Sequence, residues 1–154
     1  MEKAKSHLSL TSEESKTVSQ LEIPPHIIDV GPSFFEDFAL RGIRVDRVEQ
    51  GSIFCTFKVP PRLLDRNGDM VPGAIANLVD IVGNALIQKL DQPMNVSVNM
   101  SISYEASAKL DDELEVTSRL LGQKGSVAGT SVIISNKATG VKVSYRQVKV
   151  GTSC

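Results

Sequence analysis

A single long apolar segment, residues 72 to 90, most constrains how this chain can fold. It reads PGAIANLVDIVGNALIQKL, a Pro-Gly opening followed by a run that contains no further helix breaker. Such a segment predicts a helix that begins near Pro72 or Gly73 and runs to about Leu90. Apolar residues recur along it at spacings of three and four, as on a helix face that packs against a core: Leu78, Val79, Val82, Leu86 and Leu90. The fold must therefore bury one long helix.

Another face of this helix carries a lone carboxylate, Asp80, among small and polar residues. The residues that share this face are Gly73, Ala76, Asn77, Gly83 and Asn84. No Lys or Arg stands three or four positions from Asp80 to pair with it. Two interpretations are open at this point. In the first, Asp80 has a structural role only, as an exposed helix residue or as a carboxylate satisfied by a partner elsewhere in the fold. In the second, Asp80 lies in a cleft and is available as a general base.

The remaining segments are predicted to form strands. Residues 43–51 and 52–60 alternate around a turn at Gly51 and indicate a hairpin. Residues 95–104, NVSVNMSISY, alternate five times between apolar and polar, with Ser97 on the polar face. Strands are also predicted at 113–121, 126–135 and 141–150, and the turns GQKG and NKATG between them imply antiparallel neighbours.

This order predicts an α+β fold, an antiparallel sheet of five to six strands wrapped around one long helix, with the last four strands as a meander. Exposed sheet edges invite pairing with a second copy. The 154 residues suit one domain, expected at 25–154 after a loose polar arm at 1–24.

A short aromatic helix is expected before the first hairpin. Ser33 caps it and Gly42 ends it. Its aromatic side chains, Phe34, Phe35 and Phe38, suit an acyl channel, a lid or the core, and we expect the core.

Composition narrows the function classes. A net charge of -1 gives no broad attraction to nucleic acid. No apolar run is long enough to span a membrane, and the first residues do not resemble a leader peptide. The expected location is intracellular, with the cytoplasm favoured over an organelle, and Cys55 and Cys154 are expected as reduced thiols.

Several catalytic classes lack their residues. The two histidines, His7 and His26, lie near the N-terminus, and the chain has no G-x-S-x-G elbow, no Cys or His cluster for a metal and no nucleotide-binding loop. We therefore expect neither a metal nor a cofactor. A carboxylate mechanism remains, in which Asp80 orients or deprotonates water and an N–H at the helix start polarises a carbonyl.

Three segments carry a family likeness: PGAIANLVDIVGNAL, NVSVNMSISYEASAKLDDELEV and NKATG. Together with the order of elements, they resemble the hotdog-fold acyl-CoA thioesterases, specifically the small single-domain group related to the phenylacetyl-CoA and human-type enzymes. The resemblance covers roughly residues 35 to 150. It implies a hotdog fold, hydrolysis of acyl-CoA to free acid and CoA, and a homodimer or homotetramer with sites between protomers.

The resemblance also assigns roles to residues. It implies that Asp80 is the general base or the carboxylate that orients the nucleophile, and that Ser97 helps to hold the attacking water. CoA is expected to bind after the 95–104 strand and near the GQKG turn, where the two lysines would contact its phosphates. The expected CoA-binding residues are Tyr104, Lys109, Lys124, Gly125 and Ser126. Without the resemblance, Ser97 is one polar residue among five on a strand face, and Lys124 is a solvated turn residue.

The helix opening departs from the family pattern. The family shows His-Gly-Gly where this chain has Val71-Pro72-Gly73, and Pro72 has no N–H to donate. The expected oxyanion donor is then Gly73, or else the helix start is shifted. An Asn or Gln that precedes the family motif aligns with Asp65, and Asn67 is two positions away, so both are candidates.

Three functions follow from these residues. The first is a thioesterase, slow because of the changed opening, and the retained Asp80 favours it. The second is a hotdog module that binds acyl-CoA without cleaving it, since the opening has lost a donor. In the third, the small-residue face only packs a dimer and the ligand is of another kind.

Overall fold

The computed structural model describes residues 9, 11–20, 22, 27, 33–88 and 95–152. The chain forms two compact units, Met1–Asp37 and Phe38–Cys154. The sequence predictions that concern His7, His26, Leu90 and Cys154 lie outside the described residues. Among the helices that are described, none is long and apolar enough to cross a membrane.

A helix, Ser12–Ser19, lies within the segment that was expected to be a loose arm. The Thr11 N–H donates to the Glu14 carboxylate at 2.8 Å, and the Glu14 N–H donates to the Thr11 hydroxyl at 3.2 Å. This reciprocal pair is a capping box, for which the T-x-x-E pattern is the sequence signal. No helix was predicted from the sequence for these eight residues, and the division into an arm and one domain stays a prediction.

The short aromatic helix is confirmed as Phe34–Leu40. Ser33 caps it through a second reciprocal pair with Glu36, at 2.7 and 3.3 Å. Gly42 follows at φ +102°, which suits a residue without a side chain. The expectation of core aromatics is wrong for Phe35 and Phe38, which are 71% and 41% exposed. They lie three positions apart and share a solvent-facing side of the helix.

The described residues form six antiparallel strands: β1 Arg44–Glu49, β2 Ser52–Lys58, β3 Asn95–Tyr104, β4 Glu113–Lys124, β5 Val127–Asn136 and β6 Lys142–Thr152. They make one sheet in the order β1-β2-β4-β5-β6-β3. The predicted four-strand meander is wrong for β3, which pairs with β6 at the edge of the sheet. β4 pairs instead with β2, where Cys55 lies opposite Val116 and both are buried, so β3 takes the free edge of β6.

The turn between β4 and β5 is shorter than the predicted GQKG turn. β4 continues to Lys124, with an irregular register between Leu120 and Gly122. Lys124 pairs with Val127, which leaves Gly125 and Ser126 as a two-residue loop, and Gly125 has φ +59°. Positive φ at the first loop position is typical of tight hairpins.

The long helix is Pro72–Ala85, and it is shorter than predicted. Leu86 and Ile87 form a turn after it, and the N–H groups of Ile87 and Gln88 both bond to the Asn84 carbonyl. Its apolar face is confirmed, with Leu78 and Val79 fully buried. This face shares one core with residues from the strands: Phe57, Leu114, Val116, Val132 and Ile134.

An extra residue in β3 breaks the alternation that the sequence predicts. Ser97 lies opposite Val150 and Asn99 lies opposite Lys149, so Val98 has no residue opposite it and forms a bulge. Since Val150 and Lys149 are neighbours in β6, Ser97 and Asn99 face opposite sides of the sheet. Ser97 thus shares the side of Met100 and not the polar face to which the sequence pattern assigned it.

Candidate active site

Asp80, Ser97 and Asn84 meet where the long helix passes the beginning of β3. The Ser97 hydroxyl donates to Asp80 Oδ1 at 2.5 Å. Asn84 Nδ2 lies 3.3 Å from the same carboxylate oxygen and 3.1 Å from Ser97 Oγ. A carboxylate, a hydroxyl and an amide therefore form one hydrogen-bonded triangle.

The structure decides between the two interpretations of Asp80 in part. Asp80 is half-buried and hydrogen-bonded, so it is not a solvent-exposed helix residue. The predicted pair Asp80 and Ser97 is brought together. Asn84 was not among the predicted site residues, although its position four residues after Asp80 on the same helix face was a signal for contact.

The donors and acceptors of the triangle fix the direction of its protons. The Ser97 hydroxyl and the Asn84 amide both donate to a carboxylate oxygen of Asp80, which accepts both hydrogen bonds. The Ser97 hydroxyl has one proton, which it gives to Asp80, and Ser97 Oγ accepts from Asn84. Such an arrangement holds a carboxylate in one rotamer at a site where it can take a proton from water.

The helix start presents a backbone donor. Pro72 is the first helical residue, and no side chain caps the helix from Val71. The N–H groups of Ala74 and Ile75 bond to the Val71 carbonyl at 3.0 and 3.3 Å. Within the described part of the chain, the exposed Gly73 N–H has no acceptor. A free N–H at a helix N-terminus favours negative charge on a ligand atom.

A cavity of about 390 Å³ opens beside this helix start. Pro72, Ile75 and Tyr104 line its apolar part, and the Tyr104 hydroxyl lies 3.4 Å from the Pro72 carbonyl. Its lining also includes three carboxylate residues, Asp65, Asp69 and Glu105. Asp80 lies about two helical turns beyond Pro72, so the cavity and the triangle occupy different parts of the same helix.

Asp65 and Asn67 belong to a tight loop before the helix. One Asp65 carboxylate oxygen accepts from the N–H groups of Asn67 and Asp69, at 2.8 and 3.0 Å. These backbone donors, that of Asp69 first, lower the pKa of the Asp65 carboxyl. Asp65 thus shapes the loop, and it also lines the cavity.

The predicted CoA-binding residues lie in two places. Tyr104 and Lys109 are near the helix start, where Lys109 Nζ pairs with Asp69 at 2.6 Å. The loop of Lys124, Gly125 and Ser126 is at the other end of β3, because the adjacent Val127 pairs with Gly151, which pairs with Val96. A ten-residue strand is about 30 Å long, so one protomer does not bring the two groups together.

Cys55 is a poor candidate for a nucleophile. It is free, points into the core and is 2% exposed. Burial raises the pKa of its thiol, which disfavours the reactive thiolate.

Comparison with known proteins identifies the family. The family model described as thioesterase superfamily matches residues 67–143, half of the chain. The chain belongs to the thioesterase superfamily. The match contains the long helix, β3, β4 and β5, and therefore every residue of the triangle.

Individual relatives agree with this family. Acyl-coenzyme A thioesterase 13 from Homo sapiens is 36% identical over 91 residues, which is 58% of this chain and 65% of the human protein. The chain thus matches slightly less than two thirds of that relative's length. The counterpart from Mus musculus is 32% identical over 89 residues, 57% of this chain and 64% of the mouse protein.

Solved structures show the same fold. Zebrafish thioesterase superfamily member 2 has a TM-score of 0.72 at 26% identity, over 94% of this chain and all of that one. A hypothetical thioesterase from Streptococcus pneumoniae TIGR4, crystallised with coenzyme A, has a TM-score of 0.69 at 22% identity, over 77% and 96% of the two chains. The predicted hotdog fold, an α+β sheet with one long helix, is confirmed.

Acid should destabilise the protein partly through Asp65 and Asp46. Hydrogen bonds from backbone N–H groups lower the pKa of the Asp65 carboxyl. Hydrogen bonds from the Thr56 hydroxyl first, and then from Arg44, lower the pKa of the Asp46 carboxyl. Since the folded pKa is the lower one, this stabilisation is present above the ordinary aspartate pKa of about 3.9 and is lost as the pH falls through the lowered value. Thermal melting between pH 6 and pH 2.5 should show Asp65→Asn losing less stability than the wild type. Equal losses in both proteins would contradict this.

Proposed function

We propose that this protein hydrolyses acyl-CoA thioesters to a free acid and CoA. The observation that carries the proposal is the triangle of Asp80, Ser97 and Asn84, a held carboxylate beside an exposed sheet edge in a thioesterase-superfamily fold. The human relative is named as an acyl-coenzyme A thioesterase, and the Streptococcus pneumoniae neighbour was crystallised with coenzyme A, which supports the substrate class.

Asp80 acts as a general base in this mechanism. It takes a proton from a water held by Ser97 while the water oxygen attacks the thioester carbonyl. The carbonyl oxygen becomes an oxyanion, which the Gly73 N–H stabilises. The C–S bond then breaks as the carbonyl re-forms, and the departing thiolate receives the proton from Asp80. This leaves a free acid, CoA and the carboxylate in its starting state.

One thioester needs groups from two protomers. Gly73 and Asp80 are seven residues apart, a rise of about 10 Å along one helix. A carbonyl oxygen and an attacking water are bonded or nearly bonded to the same carbon, and each must lie about 3 Å from its protein partner. These distances add up to about 9 Å, less than the rise, and the Asp80 carboxylate is hydrogen-bonded to Asn84, one turn farther from Gly73. The Asp80 of one protomer therefore works with Gly73 of the partner subunit.

Strand β3 is the surface that brings two protomers together. It is an edge strand, and its exposed apolar side chains include Val96, Val98 and Met100. Such an edge is a template for pairing with a second chain. An antiparallel pair around a two-fold axis places the start of β3 in one copy beside its end in the other. Asp80 then faces the partner's helix start, and Lys124 approaches Lys109 of the partner subunit.

A second function, binding without cleavage, is favoured by one observation. Pro72 is the first residue of the helix and has no N–H, so only Gly73 offers a donor there. Loss of one oxyanion donor costs about a hundredfold to a thousandfold in rate. The proposal of hydrolysis therefore expects a slow enzyme.

Hydrolysis should depend on the Asp80 carboxylate. We expect the wild type to release CoA thiol from some members of an acyl-CoA series running from acetyl and phenylacetyl to long-chain. Asp80→Asn should lower kcat by about a hundredfold to ten-thousandfold, since it removes the base and keeps the shape. Glu115→Gln, which removes an exposed carboxylate from a strand, is the matched control and should leave kcat unchanged.

Two outcomes would overturn the proposal of hydrolysis. One is tight binding of acyl-CoA by calorimetry with no thiol release by the wild type, which would establish the binding module. The other is full activity in Asp80→Asn, which would move the chemistry away from the triangle.

Dimerisation through β3 should be required for activity. Met100→Lys adds charge to the middle of this edge, so it should produce monomers and abolish turnover. Val141→Lys is the matched control, because Val141 is 51% exposed against 45% for Met100 and lies outside β3. Sedimentation velocity and thiol release test both variants. A wild type that is monomeric and active would contradict the model of a shared site.

A further inference from the structure

We infer that Gly151 and Val98 are positioning residues that aim Ser97 at Asp80. This inference rests on the proposed function. Neither residue contacts substrate in the proposed mechanism, although Val98 also lies on the β3 edge that we propose pairs with a second copy. It starts from the bulge in β3, because that bulge decides which side of the sheet Ser97 faces.

Regular alternation would turn Ser97 away from the helix. In the pattern NVSVNMSISY, regular alternation would place Ser97 on the same face of the strand as Asn99, Ser101 and Ser103. Tyr104 belongs to the other face, and its hydroxyl lies 3.4 Å from the Pro72 carbonyl, so that other face is the one towards the helix. An unbroken strand would therefore put Ser97 on the far side of the sheet from Asp80.

The bulge reverses this assignment. Ser97 lies opposite Val150 and Met100 lies opposite Val148. The two β3 residues are thus three positions apart in their own strand, while their partners in β6 are only two positions apart. The extra residue, Val98, turns everything before it to the other side. Ser97 then reaches Asp80 Oδ1 at 2.5 Å. Re-aiming a side chain beside an active site is a common use of bulges at sheet edges.

Gly151 makes room for the bulge. Gly151 is buried, and a Cβ atom added to it would lie 3.0 Å from Val98 Cγ2. Among the described residues other than the chain neighbours of Gly151, no other atom lies within 4 Å of that added Cβ. Its φ is outside the left-handed region, so the backbone does not require glycine at this position. The reason for glycine is therefore the space that the Val98 side chain occupies.

Gly151 and Val98 thus act on the reaction only through Ser97. A larger residue at 151 would push Val98 out and favour the regular register, in which Ser97 leaves Asp80. The Asp80 carboxylate would keep the Asn84 amide as a donor and lose the hydroxyl that orients it and the water. The chemical groups of the site would all still be present, with one of them turned away.

The test compares three variants: Gly151→Val alone, Gly151→Val combined with Val98→Ala, and Gly151→Val combined with Val96→Ala. Gly151→Val should lower kcat by about tenfold to a hundredfold, as expected for a misplaced group, with KM within about twofold. Adding Val98→Ala removes the clashing methyl groups and should restore most of the kcat. Adding Val96→Ala is the matched control. Val96 lies on the same proposed dimer edge as Val98 and opposite Gly151 in the register, but it has no atom within 4 Å of the added Cβ, so it should restore nothing. Sedimentation velocity checks that both double variants remain in the wild-type oligomeric state.

A double-mutant comparison separates positioning from general damage. In a Ser97→Ala background, Gly151→Val should cause no further loss of kcat, because the hydroxyl it misplaces is already absent. Full additivity of the two losses, or rescue by Val96→Ala as good as that by Val98→Ala, would overturn the inference.

Crystal structures of the wild type and Gly151→Val test the same claim without turnover. The variant should show regular pairing in β3 and Ser97 Oγ beyond hydrogen-bond distance from Asp80. If the wild type cleaves no thioester but these structures differ as expected, the proposed function fails and the positioning inference stands. A variant that keeps the bulge and the Ser97–Asp80 bond overturns the inference whatever the activity.

Discussion

The packing of one helix against one sheet determines the positions of Asp80 and Gly73, the candidate functional groups that the helix carries. Leu78 and Val79 are fully buried against Phe57, Val116 and other strand residues, and a buried side chain of this size contributes about 1.5–3 kcal/mol. A single amphipathic helix has one rotation that buries this stripe. Once the stripe is buried, Asp80 must emerge at the side of the helix, towards edge strand β3.

The same packing separates the two groups that the proposed mechanism needs. The helix start offers the Gly73 N–H and a cavity with apolar and acidic lining, while the carboxylate lies about two turns away. A rigid helix cannot bend to bring them to one carbonyl. In the dimer that we propose, two copies related by a two-fold axis along β3 would do so without any conformational change, and the edge strand that joins the copies would also complete each site.

Local signals in the sequence predicted most of the elements but not the neighbours of β3. Periodicity placed the helix and the hairpin, and Ser33 and Gly42 marked the ends of the short helix because capping depends on residues close in the chain. The position of β3 beside β6 depends on which strand occupies the other side of β4, a long-range competition that alternation does not encode. The helix at Ser12–Ser19 was missed even though Thr11 and Glu14 carried its capping signal.

The candidate site was predictable to a similar extent. Asp80 stood out as a lone carboxylate, and Asn84 could have been added from its spacing. Ser97 was named through the family resemblance, while its alternation placed it on the wrong face, because one unpaired residue in a strand leaves no mark in a period-two pattern. Exposure of Phe35 and Phe38 likewise follows from how a short helix is oriented, which composition does not specify.

The central claim is that water, activated by Asp80, attacks the thioester directly. A single turnover with enzyme in excess over acyl-CoA, carried out in ¹⁸O-labelled water, tests this claim most directly. Direct attack predicts one ¹⁸O in the free acid released in that first turnover and none in the Asp80 carboxyl. An unlabelled acid together with ¹⁸O in the peptide that contains Asp80 would show that the carboxylate itself attacked and would contradict the general-base account.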